Sequence, residues 1–228
     1  MDYMIPPPPP PLPNEPDDPK YKLAGALFDE GEVLMREDST IALEQAIAKF
    51  LAAQHIFEEI GDQHQYWCIH MRGSRQLNTG IVYRWLEQYD EAETHLREAA
   101  HIFSQAGDSI IMATASYELG HVKNDLGQYL AALDLYIEAL PYFEHDFFVS
   151  CECADVHTFI AGAYSRLDCL PEAAEHYARA LPTYREYELN EELADALKNL
   201  AAVYDKLGFE GKADTCRREV DQIPKTDS

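Results

Sequence analysis

The stretch Tyr117–Leu140, YELGHVKNDLGQYLAALDLYIEAL, decides the fold. It is rich in helix formers, yet Gly120 stands in one apolar stripe and Ala132 and Ala139 in another. A lone amphipathic helix would carry Leu or Ile at such places. Ala132 and Ala139 are seven residues apart, and seven steps of about 100° return to within about 20° of the starting direction. The two alanines therefore form one small-residue strip. The turn at LGQY places Gly120 on the preceding helix, facing that strip. Small against small lets two antiparallel helices approach closely, with Leu119, Leu133 and Tyr136 expected to fill the flanks.

The same spacing recurs along the chain. Gly80, Gly120, Ala161 and Ala201 succeed one another at 40, 41 and 40 residues. Ala92, Ala132, Ala173 and Ala213 stand twelve residues after each, and Ala99, Ala139, Ala180 and Val220 seven further on. A leucine follows every first small site by six residues (Leu86, Leu126, Leu167, Leu207). Tyr83, Tyr164 or Tyr204 follows it by three, with Lys123 as the exception. An earlier copy survives in its second half, where AIAKFLAAQHIFEEIGD (46–62) overlays AETHLREAAHIFSQAGD (92–108) without gaps. An insertion near DST spoils the register of LAGALFDEGEVLMRE before it. Five helix pairs are expected, four clear and one partial.

A small residue, an aromatic three places later, then a second helix with two alanines seven apart resembles the tetratricopeptide repeat. TGIVYRWLEQYDEAETHLREA and NLAAVYDKLGFEGKA carry the pattern together with the opening stretch. The resemblance covers about residues 40–223 and extends toward residue 21. It implies an all-α, right-handed superhelical solenoid of about five antiparallel helix pairs. The period is 40, against about 34 for the usual repeat. The roughly six extra residues lengthen the helices by about 9 Å in total. The usual proline at the repeat end gives way to GD or longer connections. Repeats of this length look like those of Leu-Gly-Asn-type adaptors, kinesin light chains and bacterial regulators with such repeats. ELGH (118–121) and NLAA (199–202) only approximate the Leu-Gly-Asn signature, so the architecture carries over and a specific partner does not. The more polar last helix, GKADTCRREVDQI, suits the end of a stacked array, which is expected to be complete.

Composition bounds the function. A formal charge of −23, from 41 acidic against 18 basic residues, opposes the phosphate backbone, so direct nucleic-acid binding is not expected. It would draw basic partners at long range. No apolar run approaches the roughly 20 residues of a membrane span. MDYMIPPPPPPLP lacks the basic and apolar regions of a secretory signal, so a cytoplasmic location is expected. Residues 1–19 read as a Pro-rich tail, 20–223 as the repeat domain and 224–228 as a C-terminal tail. Pro6–Pro13 favours an extended polyproline II helix and would suit a polyproline-recognising partner. Five cysteines, an odd number, argue against a disulfide framework.

Motifs of catalysis are nearly missing. GFEGKAD (208–214) resembles the end of a phosphate loop, but Ala213 replaces the Ser or Thr that would hold magnesium. No enzyme and no cofactor are expected. HDFFVSCECADVH contains His145, Cys151, Cys153 and His157, residue types that zinc takes. On one helix Cys151 and Cys153 diverge by about 200°. Cys153 and His157 share a face, read as an interhelical core pair, with a metal site of His145, Cys153 and His157 as the weaker alternative.

By resemblance, the first helices of successive pairs line a concave groove. The register assigns to it Leu77, Ile81, Arg84 and Trp85, then Tyr117, His121, Asn124 and Asp125. Thr158, Gly162, Ser165 and Arg166 follow, and lastly Lys198, Ala202, Asp205 and Lys206. Arg84, Arg166, Lys198 and Lys206 are read in two ways: as local positive charge that would take a peptide or helix with an acidic group, or as ordinary surface charges neighbouring Asp125 and Asp205. The expected function is a non-enzymatic adaptor for a protein or peptide partner. The alternative is a regulator responsive to a small peptide or metabolite, and a metal-binding protein is weaker still.

Overall fold

A computed structural model describes residues 17–37, 39–60, 65–144 and 150–224. Pro6–Pro13 and His145 lie outside the described residues, as do 225–228. Among those described, the chain forms ten α-helices and no strand. They are α1 (Pro19–Met35), α2 (Thr40–Ile60), α3 (Gln65–Trp85), α4 (Tyr89–Ala106) and α5 (Ser109–Asp125). Then come α6 (Tyr129–Glu144), α7 (Ser150–Arg166), α8 (Leu170–Glu186), α9 (Asn190–Lys206) and α10 (Glu210–Val220).

Local chemistry sets the ends. The Asp18 carboxylate accepts the Lys20 backbone N–H at 2.7 Å, and Pro19 takes the first helical place. Asp108 caps α5 by accepting the Ile111 N–H at 3.1 Å. One turn recurs within the last four pairs. The N–H of Gln88, Gln128, Cys169 and Phe209 donates to the carbonyl of Tyr83, Lys123, Tyr164 and Tyr204, at 2.8–2.9 Å. This closes each first helix in the Schellman manner, which requires one left-handed residue. Gly127 (φ 71°) and Gly208 (φ 76°) supply it without strain, whereas Glu87 (φ 59°) and Asp168 (φ 61°) bear a Cβ there.

Successive helices pack antiparallel along the whole chain. First helices of neighbouring pairs also touch: α1 meets α3, α3 meets α5 and α7 meets α9. No comparable contact joins two second helices among the described residues. The array therefore bends toward its first helices, which form the inner face. The core lies between paired helices, where Ala92, Ala132, Ala173 and Ala213 are fully buried.

One detail corrects the sequence-based expectation. Gly120 does not simply meet the alanine strip, and Tyr136 does not fill a flank. A Cβ on Gly120 would stand 2.5 Å from the Tyr136 ring, so the missing side chain makes room for that ring. Gly80 does the same for Leu96, at 2.6 Å. Leu96, Tyr136 and Tyr177 occupy one place of the repeat, and all are buried.

Two predictions come from these contacts. Gly120→Ala is expected to destabilise by about 1–3 kcal/mol from overpacking, outweighing a helix-propensity gain of about 1 kcal/mol. Gly162→Ala meets only the Tyr177 hydroxyl at 3.8 Å and should stabilise. Urea midpoints of both variants check the contrast. Separately, Glu87→Gly and Asp168→Gly relieve left-handed strain of about 1–2 kcal/mol each, offset in part by glycine's unfolded-state entropy. A rise in Tm for each is the expected result.

Candidate functional site

The inner face has aromatic rings at its centre. Tyr117 and His121 stand one turn apart on α5 with ring centroids 4.4 Å apart. Phe159 of α7 packs edge-on to His121 at 4.2 Å and to Tyr117 at 5.8 Å. Behind them the Tyr136 hydroxyl lies 3.0 Å from His121 Nδ1. His121 is buried, whereas Phe159 keeps 37% of its surface exposed. Burial pushes the His121 imidazole down to about 3, with Arg84 adding to the effect, so the ring is neutral at neutral pH. Burial raises the Tyr117 and Tyr136 phenols as well.

Beside the rings, Arg84 of α3 reaches across to α5. Its Nη1 lies 3.4 Å from Asp125 Oδ2 and its Nη2 3.6 Å from Glu118 Oε2. Arg84 Nε and Glu118 Oε2 are buried and make no hydrogen bond. Burial drives the Glu118 carboxyl above the usual range, although Arg84 opposes this. Two carboxylates thus offset Arg84, which brings no net positive charge to the groove, in line with the reading of an ordinary charge beside Asp125. On the far side of the rings, Tyr184 donates to Asp155 Oδ1 at 2.8 Å and lies 3.0 Å from Thr158 Oγ1.

The remaining sequence-predicted groove residues spread along the array. Leu77 is buried and Ile81 partly buried in the core around α4, so both belong to packing. Trp85 is 45% exposed and, with Glu32, Met35, Arg36 and Asn78, lines an open cleft of about 340 Å³. Asn124 is half-buried, while Arg166 and Lys206 are exposed. Lys198 pairs with Asp195 at 2.8 Å and lines a cleft of about 610 Å³ between α9 and the end of α10.

Residues 76–145 match the sequence model described as tetratricopeptide repeat. The fold agrees with solved structures. A kinesin-light-chain-like array of nearly identical repeats from Podosopora anserina shares 16% identity with a TM-score of 0.66, over 88% of this chain and 95% of that one. The apo form of RapI gives 18% identity and a TM-score of 0.74 over 88% of this chain and 70% of that one. A signal-transduction ATPase from Pyrococcus horikoshii with a tetratricopeptide repeat sensor gives 18% and 0.74, over 92% of this chain but 31% of that one. No curated protein is similar enough to count as a relative. Residues 76–145 carry the tetratricopeptide repeat, and the described chain as a whole has the all-α repeat fold of these structures.

Aligning the repeats on one another shows what the sequence reading overlooked. Glu118 and Phe159 share the repeat place of Asn78 and Asn199, one residue beyond the assigned Leu77–Tyr117–Thr158–Lys198 series. Tyr184 stands where Phe103 and Phe143 stand in earlier repeats, all buried, and its added hydroxyl holds Asp155 and Thr158. A polar atom added at a core place of one repeat was the available signal. Cys153 and His157 both turn to the core, Cys153 packing against the cluster around α6 and His157 lying buried with its Nδ1 3.0 Å from His176 Nδ1 of α8. No group of three or more His, Cys, Asp or Glu that could hold a metal occurs among the described residues. Cys151, Cys153, Cys169 and Cys216 are free thiols.

Burial pushes His176 down to about 4, with His157 and Arg179 adding to the effect, and His157 is lowered as well. Together with His121, these groups bind more protons in the unfolded repeats than in the folded ones. Their contribution to stability is therefore full above pH about 6.5 and is lost as pH falls toward the folded pKa values. The expected slope is up to about 1.4 kcal/mol per pH unit for each fully coupled histidine. Thermal melts from pH 7.5 to 5 check this, and His121→Phe should flatten the loss.

Proposed function

We propose that the chain is a cytoplasmic, non-enzymatic adaptor whose inner face holds a segment of a partner protein. The observation that carries this reading is the pair of large exposed rings on first helices, Trp85 and Phe159. Aromatic residues at exposed, partly polar surfaces are those that most often carry interface energy. The charge distribution supports it. First helices hold nine basic and eleven acidic residues, against seven and sixteen on second helices. The inner face is thus the least repulsive place for an acidic or mixed peptide. Arg166 and Lys206, which share the repeat place of Trp85, are the groove cations that would meet an acidic group.

A second reading, a ligand-responsive regulator, is favoured by the α5–α7 junction. There the two first helices are joined through Tyr117, His121 and Phe159 side chains. A ligand that inserted between these rings would change the angle between neighbouring repeats. The sensor role named for the repeats of the Pyrococcus horikoshii protein fits this reading.

Affinity capture from native extract, read by mass spectrometry, tests the adaptor. Wild-type chain and the Trp85→Ala/Phe159→Ala variant would be compared, with circular dichroism confirming equal helix content. A protein present with the wild type and reduced at least tenfold with the variant is expected. Identical captured sets would reject the inner face as the binding site, and a co-purifying small molecule would favour the regulator.

A further inference from the structure

The outer surface of α6 differs from that of the other second helices. Leu130 is 66% exposed and Ile137 45% exposed. They are seven residues apart, so they share one stripe with Asp134 and the exposed Pro141 between and beyond them. Elsewhere in the array the same two places are held by Asp90 and Arg97 in α4, by Pro171 and Ala178 in α8, and by Gly211 and Arg218 in α10. In α2 they are Glu44 and Leu51. The inner alanines Ala132 and Ala139 fill the core face of α6, as Ala92 and Ala99 do in α4 and Ala173 and Ala180 in α8, so core packing does not call for Leu130 or Ile137. Large apolar side chains on the water side gain nothing in the isolated chain, and a stripe of them marks an interaction surface.

The chemistry around the stripe selects the occupant. Asp134, Glu138 and Glu144 are the acidic residues of α6, which has no Lys or Arg. The flanking helices present Glu91 and Glu98 on α4, and Glu172 and Glu175 on α8, all exposed, with Arg72 3.9 Å from Glu98 and Arg179 2.6 Å from Glu175. Among the described residues α6 shows no approach to α4 or α8 comparable to those between neighbouring first helices. A second copy of this chain docking through the same face would set Asp134 and Glu138 against their own likeness, which is unfavourable.

We propose that the outer face of α6 is a second docking surface, separate from the inner groove, that takes a basic amphipathic helix of a partner protein. The partner's apolar residues, spaced three and four apart, cover Leu130 and Ile137. Its Lys or Arg residues face Asp134, Glu138 and the carboxylates of α4 and α8. Two ligands could then be held at once, one on each side of the array.

Fluorescence anisotropy with the full chain tests this, using as probes two labelled 15-residue synthetic helices, one of Leu and Lys and one of Leu and Glu. The Leu/Lys helix should bind at least tenfold more tightly than the Leu/Glu helix. Leu130→Ser/Ile137→Ser should weaken it at least tenfold, whereas Ile41→Ser, at another exposed apolar site, and Phe159→Ala, in the groove, should leave it within twofold. Equal loss in the Ile41→Ser control would overturn the proposal, as would unchanged binding in the double variant or equal binding of both helices. Sedimentation velocity supplies one more arm. A wild-type dimer that the double variant abolishes would assign this face to self-association and likewise overturn it.

Discussion

The array rests on a large side chain seated over a residue that has almost none. Tyr136 over Gly120 and Leu96 over Gly80 are two instances of one contact, and Tyr177 repeats the large partner in the next pair. Each seat draws a second helix onto its first. The flanking alanines at the 132 and 139 places then close the seam without leaving space. Dense packing of this kind tolerates little volume change, because neither the ring nor the backbone opposite can move independently. The pairs are thus rigid units, and the shape of the molecule is decided by how they lean on one another.

That lean follows from a second asymmetry. First helices approach those of the neighbouring pairs closely, whereas among the described residues second helices α8 and α10 meet only through the long side chains of Arg185 and Glu219, so the surface on one side is gathered and on the other spread. The gathered side carries near-balanced charge and half-exposed rings. The spread side carries most of the acidic excess. Two kinds of surface on one rod follow from the same geometry, each with its own preferred chemistry. At the centre, burial keeps His121 neutral and raises the Glu118 carboxyl, so charge is muted where the chain is most tightly held.

The repeat length and the five pairs were legible because small residues at fixed intervals leave a direct mark in the sequence. Gly120 and Ala132 marked the seam correctly. The role of Tyr136 was not legible, since a ring reaches farther than its own place on the helix, and spacing alone does not say which way it leans. The neighbours of Arg84 were legible in part: Asp125, at 3.4 Å, was expected beside it, whereas Glu118 lies on another helix and only the fold brings it to 3.6 Å. His157 likewise found its partner on α8 and not along its own helix. Glu118 and Phe159 were missed because the groove register was drawn one residue too narrow.

The Schellman turn that recurs between the helices of the last four pairs has a bearing on how such a chain can change length. A single residue inserted within a helix would rotate everything after it by about 100° and turn the seams of that pair toward water. A whole unit added between turns leaves every seam in phase. Growth or loss by complete modules, or by residues in the connections, as in the 41-residue step from Gly120 to Ala161, is therefore the length variation that this architecture absorbs without rebuilding its interior.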